Sequence, residues 1–110
     1  GLGDVYKRQG FKDGSRLTPF DWGTGGIFKR QEARVIAGEN AKWSTVLLHA
    51  SGGKIAAWVG GVAVSDWEDT RPEDENPRRG KRVAPGTIMI QGHDPETDVL
   101  FRDLQISTIK

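Results

Sequence analysis

The amino-acid sequence predicts an all-β protein, an antiparallel jelly-roll sandwich, and three observations carry that expectation. Short runs rich in β-branched, aromatic and apolar residues recur along the chain, among them WSTVLLHAS, IAAWV, VAVSDW and TIMIQ. Such runs pack well on a pleated, half-buried surface. Paired glycines, Gly52-Gly53 and Gly60-Gly61, separate the first three, and glycine accepts the positive φ that tight hairpin turns require. No segment sustains the 3.6-residue apolar period of an amphipathic helix.

Each element follows in order. Residues 1–9 (GLGDVYKRQ) stand apart. Asp4 to Gln9 resembles the translation of a transposon end used to build sequencing libraries, so the segment is read as foreign and set aside from the fold. The alternative is a natural basic arm. Residues 10–26 carry five Gly and one Pro and read as a loop arriving at a strand. Residues 27–36 (IFKRQEARVI) are a strand candidate, with a short helix competing because the central Lys, Arg, Gln, Glu and Ala favour helix. Residues 43–51, 55–59 and 62–67 form an antiparallel meander whose register the two short turns set.

Residues 68–85 (EDTRPEDENPRRGKRVAP) are charged and contain three prolines. They cannot form a central strand and read as a long surface loop, a length class that includes lids, binding loops and disordered segments. Residues 87–91 and 99–109 are the closing strands, joined by the polar loop 92–98. In the last strand the apolar phase shifts, with Val99 and Phe101 on one parity and Leu104 and Ile106 on the other, so a bulge is expected near Arg102-Asp103.

At 110 residues the chain is long enough for one domain. Residues 10–110 are expected to be the C-terminal half of a sandwich whose beginning lies upstream, because no strand signal precedes Ile27. A half sandwich leaves strand edges and one sheet uncovered, which favours aggregation, and on its own this half is expected to be inactive.

Sixteen basic residues against fifteen acidic ones give a net charge of +1, so charge provides no case for nucleic acid. No apolar run reaches the length of a membrane-spanning helix. There is no cysteine, which rules out disulfides and thiolate metal sites.

Several pieces in fixed order carry a resemblance: Thr24-Gly25-Gly26-Ile27-Phe28, Lys42-Trp43-Ser44, Ile55-Ala56-Ala57-Trp58-Val59-Gly60-Gly61, Asp66-Trp67 with Asp69 and Arg71, Asn76-Pro77-Arg78-Arg79-Gly80, Gly86 to Asp94, and Phe101 to Ile106. Together they resemble the C-terminal half of the 3-keto-disaccharide hydrolase family, whose fold is a concanavalin A-like jelly roll. Gly60-Gly61 stands where that family usually has Asn-Gly, Ser44 where it has Asn, and Asp103 where it has Asn. The resemblance implies a glycoside or oligosaccharide substrate oxidised at its third ring carbon, and a periplasmic or extracellular location.

That chemistry needs a base, an oxyanion stabiliser, an acid for the leaving group and a platform for the ring. His93 is the candidate acid/base, at a strand end with a pKa near working pH; otherwise it is a turn histidine bonded near Asp94 and Pro95. Gln91 and Asp94 are candidates for binding sugar hydroxyls, with edge and turn roles as alternatives. Arg30 and Arg34 could steady an enolate as fixed donors or line a solvated strand face. Trp67, beside the long loop, is the favoured stacking platform, whereas Trp58 reads as sandwich core. His49, within a strand, reads as a satisfied half-buried histidine. Asp66, Asp69 and Asp74 could offer oxygens to Ca²⁺ or another divalent metal, but no motif supports a site, and no cofactor or metal ligand is assigned. In loop 68–85 the basic cluster is expected to pair with Glu73, Asp74 and Glu75. The fold also supports a non-catalytic carbohydrate-binding module or a scaffolding sandwich.

Overall fold

The computed structural model describes residues 16–17, 22–39, 41–91 and 99–109. Among them there is no helix. Three strands make one antiparallel sheet in the order β1-β2-β3: β1 Val46–Ser51, β2 Lys54–Val59 and β3 Val62–Glu68. The described residues are therefore all-β, as the β-rich runs and the turn chemistry predict.

Both expected glycine turns are present. Gly60 and Gly61 have φ of 57° and 82°, and Gly52 has φ of 59°, values that residues with a Cβ adopt only at a cost. The turns fix the register. Leu47 lies opposite Trp58, and His49 opposite Ala56. Across the second pair, Ala56 lies opposite Asp66, but Trp58 lies opposite Ala63. The pairing slips by one residue between Ala57 and Trp58, which leaves Val64 as an extra residue in β3. An extra residue lets two successive side chains turn to one face, and Val64 and Ser65 are both buried.

The buried apolar set is Ala33, Ile36, Ala57, Val59 and Val64. Its cover is the stretch 22–37, which lies on one face of β2 and β3. Gly25 is the closest point of approach: a Cβ there would overlap the Val64 side chain and crowd Val59. The Ser65 hydroxyl donates to the Gly25 carbonyl at 2.6 Å. The backbone N–H of Arg34 donates to the Val64 carbonyl at 2.8 Å. The edge of β3 is thus blocked by backbone and side chains that are not themselves a strand, one way that proteins protect sheet edges.

The strand expected over residues 27–36 does not form. The chain reverses at residues 28–30, where Lys29 has φ of 60°, and Ile27 and Gln31 bond each other's backbone at 2.8 and 2.9 Å. The apolar residues of that stretch serve the core as an irregular cover instead. The helix alternative fails for the same reason. Residues 43–45 also stay outside β1. Residues 87–91 and 99–109 carry no strand ladder, since strand propensity is realised only against a hydrogen-bonding neighbour and none pairs with them among the described residues. Their apolar side chains are exposed, with Ile88 at 75% and Ile106 at 80%. At the expected phase shift, Asp103 takes φ of 54°, so the chain bends there without a partner against which to bulge. Arg102 lies 4.0 Å over the Trp43 ring, and residues 106–109 line a cleft with Ala50 and Ser51; the last stretch therefore runs beside β1.

Loop 68–85 is built rather than loose. The carboxylate of Asp69 is buried and receives Nε and Nη2 of Arg71 at 2.8 and 2.7 Å. The Arg71 guanidinium also donates to the carbonyls of Pro77 and Arg78 at 3.1 and 3.4 Å. The Lys81 N–H donates to the Pro72 carbonyl and the Asp74 N–H donates to the Lys81 carbonyl, both at 2.9 Å, and Asp74 Oδ1 accepts the Asn76 N–H at 2.7 Å. The expected pairing of the loop's basic cluster with Glu73, Asp74 and Glu75 is not what holds it. Among the described residues the ion pair of this loop is Asp69–Arg71, because a bidentate Arg–carboxylate fork is stronger than solvated single contacts.

Two outcomes test this architecture. Gly25→Val forces a side chain into the Val64 contact and strains a residue at φ +86°, so we expect about 1–3 kcal/mol of destabilisation, read as lost amide-exchange protection at Val59 and Val64. The Arg71 fork holds the Asp69 pKa down, from its ordinary 3.8 to about 2. A depressed carboxylate contributes stability above its unfolded value and loses it as pH falls through the folded one; here that window runs from pH 3.8 down to about 2. Arg71→Ala should return the Asp69 carboxyl ¹³C titration to the ordinary range and expose the Arg78 and Arg79 bonds to trypsin at neutral pH.

Candidate functional site

Side chains alternate across a strand, and cross-strand partners share a face. The register therefore sorts the sheet into two faces. The covered face carries Ala57, Val59, Val64 and Ser65, with Trp67 at its margin. The opposite face carries three rows: Leu47, Trp58 and Ala63; His49, Ala56 and Asp66; Ser51, Lys54 and Glu68.

The middle row gives this open face its character. Ala56 on the central strand is its floor. His49, half-buried, stands on one side, and Asp66 on the other. The Arg34 guanidinium forms an ion pair with Asp66, and the Asp66 backbone N–H donates to Gln31 Oε1 at 2.7 Å. Trp58 lies one row away, which is about 7 Å along the strand. Its neighbours on that face are Leu47, Ala63, Ala56 and the turn glycine Gly60, mostly too small to wall in an indole. A half-buried aromatic, an imidazole and a fixed carboxylate–guanidinium pair therefore occupy one surface.

Trp67 lies elsewhere. Its ring has the Arg30 and Arg71 guanidinium carbons 5.8 and 6.0 Å from its centroid, cation–π contacts that join it to the Asp69–Arg71 clamp. Arg30 and Arg34, four residues apart, thus serve different places: Arg30 at the Trp67 ring and Arg34 on the open face. Gln91 is exposed at the end of an unpaired stretch. His93 and Asp94 lie outside the described residues. The structure thus brings together Arg34, His49, Trp58 and Asp66, while Arg30 and Trp67 form a second group.

The three aspartates considered as metal ligands are dispersed. Asp66 pairs with Arg34, Asp69 with Arg71, and Asp74 accepts from Asn76. Among the described residues no three His, Asp or Glu side chains converge on one point. Sequence reasoning expected His49 to be a half-buried strand histidine, which it is, and Trp58 to lie in a sandwich core. The signal that finds them is the register itself, since two glycine turns of fixed length place Trp58 beside Leu47, and His49 beside Ala56.

Among the described residues no helix is long and apolar enough to cross a membrane. No curated protein and no solved structure matches the chain. A family model, the 3-keto-alpha-glucoside-1,2-lyase-like domain, matches residues 4–107, a span that takes in most of the segment set aside as foreign and every element described above. The chain belongs to the 3-keto-alpha-glucoside-1,2-lyase-like domain family.

Proposed function

We propose that the chain works in the cleavage of 3-keto-glycosides, as part of an exported, periplasmic or extracellular protein, and that its sheet is one layer of a jelly-roll sandwich. The family match over residues 4–107 carries this reading. The exposed apolar stretches 87–90 and 99–106 suit it, because a sandwich buries such side chains between two layers.

The chemistry follows from the ketone. A carbonyl at the third ring carbon acidifies the C–H of the second. A base removes that proton, and the electron pair moves onto the carbonyl oxygen as an enolate. The enolate collapses to expel the glycosidic oxygen from the first carbon, leaving a double bond between the first and second carbons. The departing oxygen takes a proton from an acid; water added later across the double bond completes hydrolysis. His93 is the acid/base in this reading, Gln91 and Asp94 bind hydroxyls, and a guanidinium of Arg34 or Arg30 steadies the enolate. Trp67 remains a candidate contact to the ring. No cofactor is called for by these steps.

The test uses the whole protein that carries this chain, with methyl 3-keto-α-glucopyranoside, following methanol release. Turnover that slows when the second carbon bears deuterium supports elimination. His93→Ala should lower kcat by roughly 10²–10⁴-fold and leave KM within a few-fold. Sugar binding without methanol release would instead favour a carbohydrate-binding module, and a wild-type protein showing neither would overturn the proposal.

A further inference from the structure

We infer that the open face of the sheet is a pyranose-binding trough, with Trp58 as the ring platform and His49 and the Arg34–Asp66 pair as its hydroxyl-binding walls. The identity of the ligand rests on the glycoside reading above; the trough rests on the register.

Four features point the same way. Trp58 faces away from the covered side, which already holds Ala57, Val59 and Val64. An antiparallel sheet with one buried face normally turns polar residues outward, so an indole on the central strand of the open face breaks that pattern; the cover does not reach β1, whose Leu47 and Leu48 are exposed on either face at 58% and 70%. Most strand neighbours of the indole are short, Ala56 and Ala63, and Gly60 follows in the turn, and the indole keeps part of its surface exposed. The polar groups sit at the rim. Asp66 and Arg34 are exposed at 71% and 49% but held to each other, and Arg34 is also fixed through its backbone bond to Val64.

A pyranose presents just this division. One face of the ring is lined by C–H bonds and packs on an aromatic plane, while its edge bears hydroxyls that both donate and accept. A carboxylate accepts, a guanidinium donates and a neutral imidazole does both. Because the ion pair holds both side chains in place, less rotamer freedom is lost when a hydroxyl binds them. Trp67 is the less suitable platform, since the Arg30 and Arg71 guanidiniums already lie against its ring.

The experiment titrates the full chain with methyl α-glucopyranoside, which has the ring but lacks the reactive ketone, and follows the indole N–H signals of Trp22, Trp43, Trp58 and Trp67 by NMR. The Trp58 signal should move on titration while that of Trp67 stays. Trp58→Ala should weaken binding about tenfold, the order expected for one lost aromatic contact, and Trp58→Phe should retain most of it. Asp66→Asn keeps the shape and should weaken binding several-fold, so the proposal does not hang on one variant folding. Movement of Trp67 or Trp22 with Trp58 unmoved, affinity unchanged in Trp58→Ala and Asp66→Asn, or no binding by the wild-type chain would overturn it. The two readings separate cleanly. Methanol release from the 3-keto sugar with KM unaltered in Trp58→Ala sinks the trough alone. Trp58 shifts without methanol release sink the cleavage reading alone.

Discussion

One extra residue in β3 governs the rest of this structure. With Val64 inserted, Val64 and Ser65 both turn to the covered face, and Ala63 and Asp66 both turn to the open one. Without it, the part of β3 before Ser65 would reverse phase, since a one-residue slip moves every side chain to the other side of the sheet. Val62, Ala63 and Val64 would then exchange faces, and Val64 would leave the Gly25 contact. The bulge also turns the Val64 carbonyl to the Arg34 N–H and the Ser65 hydroxyl to the Gly25 carbonyl. Core and open face are thus set by the same irregularity, which is why neither can be altered alone.

The second constraint is the clamp that follows β3. Leaving the strand, the chain enters a region too charged and too proline-rich for the sheet. Asp69 is buried at that point, and a lone buried carboxylate is costly. Arg71, two residues on, satisfies it through two parallel bonds and spends its remaining N–H groups on the Pro77 and Arg78 carbonyls. Those carbonyls lie on the far side of the loop, so one guanidinium closes a ring of chain. The same cation lies near Trp67, coupling the loop to the covered side of the sheet. A segment whose composition alone suggests a mobile lid is thereby given a fixed shape.

The meander was legible because its signals are local. Adjacent glycines define turns of known length, and turn length defines register, so β1, β2 and β3 could be placed within three residues. What followed from longer range was not legible. The stretch 27–36 has a strand's composition, yet Lys29 reverses it and its apolar residues become cover for strands some 30 positions away. Residues 87–91 and 99–109 have strand composition too, but a strand exists only with a neighbour, and composition cannot supply one. The site suffered the same way. Trp58 reads as core because a tryptophan among alanines and valines normally is core; the bulge that fixes which face it shares with Asp66 has no signature in the residues VAVSDW. His93 and Asp94, singled out from their place beside a strand end, fall outside the described residues, and their role stays with the proposal of function.

The fates of Arg30 and Arg34 sharpen the argument about chemistry. In sequence they are equivalent candidates to steady an enolate oxygen. An oxyanion site, however, needs a donor already in place, because stabilisation gained in the transition state is spent if a flexible cation must first be ordered. Arg34 meets that requirement: its backbone is bonded to β3 and its guanidinium to Asp66, yet half of its side chain remains open to solvent. Arg30 lies against Trp67, where its charge serves the same neighbourhood that Asp69 and Arg71 hold together. An enolate on the open face would meet Arg34 first, with the paired carboxylate limiting how far that guanidinium can follow it. The pairing that orders Arg34 therefore also sets where along the trough a developing negative charge is best placed, on the guanidinium side of Asp66 and away from its second oxygen.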